Sequence, residues 1–123
     1  MPGDPIRVGI VLREQDLTVW SGRLPELAER AVAAGIDHLT VGDHVSFADG
    51  HGADGLIQAA ALLSAHPELN VQTGVYLLAL RHPAVVARQL ATIALLARDQ
   101  QPQAVQCLAR PGASLAGIDP AQL

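Results

Sequence analysis

Short β-rich runs alternate with helical segments over most of this chain, and that alternation restricts the fold more than any other feature. The β-rich runs are IRVGIVL, IDHLTVG and VQTGVYLLAL, at residues 6–12, 36–42 and 71–80. Helical patterns follow at residues 24–34, 55–65 and 83–97. Because strands that alternate with helices usually form a parallel sheet with right-handed crossovers, the sequence predicts an α/β fold with three βα units.

Residue types at the helix ends support these boundaries. Pro25 suits the first turn of the first helix and Gly35 its C-terminal cap, while Glu26 and Arg30 form a possible i,i+4 ion pair. Asp54 is placed to cap the second helix by accepting backbone N–H bonds. These signals set the predicted ends of the first helix and the start of the second.

Composition excludes several classes of partner. The chain has 123 residues, enough for one domain, and its net charge of −4 argues against nucleic acid or an anionic membrane as a partner. The N-terminus lacks a basic start followed by a long apolar stretch, and Cys107 is the only cysteine. We expect a cytoplasmic protein that binds a small molecule.

Asp43 and His44 directly follow the second predicted strand. In parallel α/β sheets, ligands bind at the carboxyl ends of the strands, and a histidine there can exchange a proton beside a carboxylate. Aspartate and histidine are also common in ordinary loops. From these residues alone, Asp43 and His44 can be interpreted either as a catalytic pair or as part of a structural loop.

Other polar positions also have two interpretations. Gly74 interrupts the third β-rich run, which indicates either a close approach to a ligand or space for a neighbouring side chain. Arg81 and His82 end that run; they are placed to contact an anion, but a structural role is favoured, and for His82 this is entry into the next helix. His38 and His66 are expected to be structural or solvated.

The glycine-rich loop FADGHGADG invites a metal hypothesis through Asp49, His51 and Asp54. Its spacing does not match an EF-hand, so a flexible active-site loop is the favoured interpretation and no metal site is predicted. The chain also lacks the glycine-rich phosphate-binding motifs and the G-x-S-x-G nucleophile motif.

Two long stretches carry a family resemblance. LAERAVAAGIDHLTVGDHV, followed by VQTGVYLLALRHPAVVARQLATIALLA, resembles the N-terminal part of the bacterial luciferase-like family of flavin- or F420-dependent oxidoreductases. The likeness covers residues 6–97, and its most specific elements are GDH, TGV and RHPAVVARQLATIALL. It implies part of a (β/α)8 barrel that uses reduced FMN for monooxygenation or F420 for hydride transfer.

The same resemblance implies roles for particular residues. Asp43 is similar to the residue that contacts the cofactor ring in F420-using members, and His44 to a neighbouring catalytic acid or base. Gly74 and Val75 match the place where family members often have a non-prolyl cis peptide behind the ring. The implied cofactor-binding residues are therefore Asp43, Gly74 and Val75, and the implied catalytic residue is His44.

The likeness stops abruptly after residue 97. The family continues with a glycine-rich fourth strand, whereas this chain has RDQQPQAVQCLARPG, and only GIDP at 117–120 is again similar. We expect residues 1–97 to form the βα units and residues 98–123 to form a divergent, irregular and poorly packed tail with at most one short helix or strand. A frameshift or deletion in a longer ancestral gene would account for the break.

Three functions follow as hypotheses. The first is a luciferase-like oxidoreductase that is truncated and has little or no activity alone, because a full barrel needs about 250 residues. The second is a non-catalytic remnant or assembly partner that self-associates through its open sheet edge. The third is a small flavodoxin-like ligand-binding domain whose tail closes the core.

Overall fold

Four short parallel strands form one sheet in the computed structural model, which describes residues 5–13, 22–46, 52–66, 68–96 and 105–108. Each strand pairs in parallel with the next along the chain. The strands are β1 (Gly9–Leu12), β2 (His38–Val41), β3 (Val71–Gly74) and β4 (Val105–Leu108). The helices are α1 (Leu24–Ala33), α2 (Gly55–Ala65) and α3 (Pro83–Leu96), and a 3₁₀ turn spans Leu78–Leu80.

The strand order is β1-β2-β3-β4, so every strand lies beside its neighbour in sequence. A (β/α)8 barrel is built in this order, whereas a flavodoxin-like sheet has the order 2-1-3-4-5. The predicted α/β class is confirmed, and the sheet corresponds to an arc of a barrel. Strand β4 lies in the divergent segment 98–123, and the rest of that segment is outside the described residues.

One face of the sheet is covered by the helices and contains the core. Leu39 pairs with Ile10 and Val71 across neighbouring strands, and Leu39 and Val71 are almost completely buried. Side chains alternate along a strand, so Thr40 and Gln72 lie on the opposite face, where they are half-buried. The helices contribute mainly small and aliphatic core residues: Ala28, Ala31, Leu56, Ala59, Leu62, Val86 and Ile93.

The third predicted strand is wrong in length. Strand β3 ends at Gly74, and the 3₁₀ turn occupies residues 78–80 where the sequence predicted continued strand. The backbone N–H of Leu77 donates to the Asp43 carboxylate at 2.8 Å, which draws the chain away from the sheet. Strand β1 begins three residues later than predicted, and β2 begins two residues later and ends one residue earlier.

Helix α1 ends as its sequence predicts. Gly35 has a φ of +74°, its N–H donates to the carbonyl of Val32, and the Ile36 N–H donates to that of Ala31. This pair of bonds is a Schellman cap, in which a left-handed residue ends the helix. No helix among the described residues has the length and apolar composition needed to cross a membrane.

We predict that Gly35→Ala lowers the free energy of unfolding by about 1 kcal/mol, because an alanine resists the left-handed conformation. A Cβ at this position meets no atom within 4 Å, so crowding contributes nothing to the loss. Gly35→Asn is the matched control, since asparagine tolerates this conformation and should cost less. Urea denaturation measures both; equal losses would contradict the explanation.

Candidate functional site

The Asp43 carboxylate, just beyond β2, is completely buried and accepts four hydrogen bonds. Its Oδ1 accepts from the Gly55 N–H at 2.9 Å and from Nη2 of Arg81 at 2.8 Å. Its Oδ2 accepts from the Leu77 N–H at 2.8 Å and from Nη1 of Arg81 at 2.7 Å. A carboxylate offers about four lone-pair positions, so these donors use its full capacity.

Arg81 joins two carboxylates and one aromatic ring. Its bidentate contact with Asp43 is the geometry that a guanidinium favours, and Nη2 also donates to Oδ2 of Asp54 at 2.9 Å. The guanidinium carbon lies 4.5 Å from the centre of the Tyr76 ring, a cation–π arrangement. The structural role favoured for Arg81 from the sequence is confirmed, and its contact is with anions of the protein itself.

Asp54 connects the same contacts to helix α2. Its Oδ1 accepts the N–H groups of Leu56 and Ile57 at 2.9 and 3.1 Å, which confirms the predicted N-terminal cap. Its Oδ2 binds Arg81. Asp43, Asp54 and Arg81 therefore form one carboxylate–arginine cluster, which holds the start of α2 and the segment after β3 against the end of β2.

Charge is stabilised on both partners of the central pair. Burial by itself would raise the pKa of Asp43, but the hydrogen bonds from Gly55, Arg81 and Leu77 outweigh it and lower that pKa. Burial likewise opposes the charge of Arg81, and its contacts with Asp43 and Asp54 raise its pKa. Asp43 and Arg81 are both ionised at neutral pH.

His44 follows the cluster at the carboxyl end of β2. Its backbone N–H donates to the Ala53 carbonyl at 3.0 Å, which closes the loop that precedes α2. The side chain is half-buried, while the next residue, Val45, is 70% exposed. A half-buried histidine and an exposed apolar residue therefore follow one another at the carboxyl end of β2.

Gly74 and Val75 end the neighbouring strand β3. Their peptide bond is cis, which confirms what the family resemblance implied. A Cβ at Gly74 would lie 2.9 Å from Cγ2 of Thr40, so the glycine makes room for a side chain of β2. Val75 is 46% exposed. Because β2 and β3 pair through Val41 and Thr73, all four predicted site residues lie at the carboxyl ends of these two strands. We call this end of the sheet its carboxyl edge, as distinct from the outer strands.

The remaining predicted positions separate into two groups. His82 accepts the Ala84 N–H at Nδ1 (3.3 Å) and the Val85 and Val86 N–H groups at its carbonyl, which confirms its role at the entry to α3. Asp49 and His51 lie outside the described residues. The residues that are described contain no group of His, Cys, Asp or Glu able to hold a metal ion.

Sequence reasoning missed the partners of Asp43. It treated Arg81 as a separate residue, although a buried carboxylate requires a cation or several N–H donors. The only available signal was that Arg81 also follows a strand, at the same edge as Asp43. The other two donors are the backbone N–H groups of Gly55 and Leu77, and residue type does not indicate where a backbone N–H will donate.

We predict that Asp43→Asn lowers the free energy of unfolding by about 2 to 4 kcal/mol, because it removes the negative charge that accepts two of the three hydrogen bonds from the partly buried Arg81 to carboxylates. Glu26→Gln is the matched control: Glu26 pairs with Arg23 at 2.8 Å on the exposed surface of α1, and no measurable change is expected. Equal effects of the two substitutions would contradict the assigned importance of burial.

The same pair predicts a pH dependence. Since the pKa of Asp43 is lowered in the folded protein, its contribution is fully present above the unfolded value of about 3.9 and is lost as the pH falls towards the folded value. The stability difference between wild type and Asp43→Asn should be constant from pH 7 to about pH 5 and shrink below about pH 4. Denaturation at several pH values measures it; a difference that grows on acidification would exclude this account.

We also predict that Gly74→Ala lowers the free energy of unfolding by about 1 to 3 kcal/mol, because the added methyl overlaps the Thr40 methyl. Thr40→Ser removes that methyl, so the cost of Gly74→Ala should fall when both substitutions are combined. A double-mutant cycle from urea denaturation gives the coupling. Simple additivity would show that the glycine serves another purpose.

Comparison with known proteins agrees with this geometry. The luciferase-like monooxygenase family matches residues 14–99, well over half of the chain. No curated protein matches it. The matched range contains the segments GDH, TGV and RHP, whose residues form the edge described above. On this match, and with the parallel βα arrangement of the sheet, the chain belongs to the luciferase-like monooxygenase family.

Proposed function

We propose that the carboxyl edge of this sheet is one part of a binding site for the ring of a flavin or F420, in an oxidoreductase that acts on a small molecule. Family membership supports the redox chemistry, because luciferase-like proteins generally bind these cofactors. The observation that carries the proposal is the position of His44 and Val75 at the carboxyl ends of adjacent strands. Ligands of α/β barrels bind at that end.

The residues at this edge suit a flat ring. Val45 and Val75 expose 70% and 46% of their surfaces, and the half-buried imidazole of His44 supplies a polar group beside them. Ligand sites commonly combine apolar walls with a few placed polar groups. FMN and F420 rings both match this description, so the choice between them depends on residues other than these.

The role proposed for Asp43 is to position the site. Its carboxylate holds Gly55, Leu77 and Arg81, and so sets the distance between the loops that follow β2 and β3. The Asp43 carboxylate already accepts four hydrogen bonds. Asp43 would therefore contact the ring directly only after one of these four donors moved away. Gly74 contributes by its lack of a side chain, which lets Thr40 remain in place.

A bound flavin or F420 would carry the electrons of the reaction. The part that this chain contributes is acid–base chemistry and orientation. In this proposal His44 holds or releases a proton at an imidazole nitrogen. The carboxylate–arginine cluster holds the backbone of Gly55 and Leu77 at Asp43, the residue before His44. Full turnover requires the remaining strands of a barrel, so the described residues alone are expected to have little or no activity.

We predict that FMN or F420, added to the full chain, binds with a dissociation constant below about 1 mM, and that His44→Gln weakens binding about fivefold, since one hydrogen bond contributes about 1 kcal/mol. Cofactor fluorescence during titration measures both constants without requiring turnover. His66→Gln is the matched control, because His66 follows α2 at the other end of the strands.

Two results would overturn this proposal. One is the absence of binding by either cofactor at millimolar concentration, with circular dichroism showing that the protein is folded. The other is equal weakening by His44→Gln and His66→Gln, which would place the cofactor away from the carboxyl edge.

A further inference from the structure

Within the described residues, the sheet has two edges without a pairing strand and one face without a covering layer. Strand β1 pairs only with β2, and β4 pairs only with β3. The face opposite the helices contains Val11, Thr40 and Gln72; Val11 is 63% exposed. Unpaired edges and open faces of this kind are places where another chain can bind.

We propose that a second copy of this chain covers the open face and pairs with both edges, so that two four-stranded arcs close one eight-stranded parallel barrel. The strands are all parallel and in sequential order, so the two edges, β1 and β4, point in the same direction. A rotation of 180° about the barrel axis places β4 of each copy beside β1 of its partner. Both new pairings are then parallel.

Strand number favours this partner over others. Two copies of a four-stranded arc supply eight strands, the number with which a parallel barrel closes around an interior filled by side chains. The two β1–β4 contacts are equivalent by symmetry, so the assembly is closed and stops at two chains. An antiparallel pairing between two β1 strands would leave both β4 edges open.

The side chains of the open face also fit a second copy. Val11 is apolar, whereas His38, Thr40 and Gln72 are polar and half-buried. A lipid surface would remove water from these polar groups without offering partners, which is costly. A second copy brings the same groups, and a glutamine amide both donates and accepts hydrogen bonds.

Exposed apolar residues along β1 support the same arrangement. Val8, just before β1, and Ile10, within it, are 54% and 45% exposed, although exposed edge strands of monomeric proteins usually have charged or proline residues that prevent pairing. In the closed barrel these residues lie at the seam with β4 of the partner. The inference does not depend on cofactor binding, since it uses only the strands and the open face.

Sedimentation velocity of the full chain over a range of micromolar concentrations tests the proposal. The expected species is a discrete dimer, with twice the monomer mass of 12.8 kDa. Val11→Lys should raise the dimer dissociation constant at least about tenfold, because the charge would be enclosed in the barrel interior. Ile57→Lys is the matched control: Ile57 is 70% exposed on α2, outside the proposed interface, and should leave the constant unchanged.

Hydrogen exchange of the wild-type chain gives a second measurement that does not depend on a variant. Backbone amides of residues 9–12 should become more protected as the concentration rises, because β1 gains a pairing strand. A monomer at every concentration, open-ended association instead of a dimer, equal effects of the two lysine substitutions, or a dimer without added protection in β1 would each overturn the proposal.

Discussion

The buried ion pair between Asp43 and Arg81 is the contact on which the carboxyl edge of the sheet depends. It joins the end of β2 to the segment after β3, and Asp54 extends it to the first turn of α2. A charge inside a protein is tolerated only when it is paired and fully hydrogen-bonded, and Asp43 meets both conditions. The loops that a ligand would contact are therefore held by electrostatics as well as by packing.

Asp43 and His44 are neighbours in sequence but differ in burial. Asp43 is completely buried and faces protein donors, whereas His44 is half-buried and adjoins the exposed Val45. The aspartate carboxylate holds backbone groups of two neighbouring segments, and under the proposed function the histidine beside it is the residue that exchanges a proton.

The four-stranded sheet is an open arc of a barrel. Helices cover one face of the four strands, while the other face and both edges lack a partner among the described residues. A barrel removes its edges by closing on itself, and an arc does not. Association with a second copy would satisfy the same constraint, which connects the family assignment to the proposed oligomer.

The α/β class, the three helices and the caps at Asp54 and Gly35 could be predicted from the sequence, because periodicity and capping are local properties of the chain. The family followed from the resemblance of the GDH, TGV and RHP segments. The sequence also placed Asp43 and His44 at a strand end, but it put Gly74 and Val75 inside the third strand. Only the tertiary structure decided that β3 stops at Gly74 and that Arg81 binds Asp43, 38 residues away in sequence. Such contacts depend on which segments meet across the sheet, and no local pattern encodes that meeting.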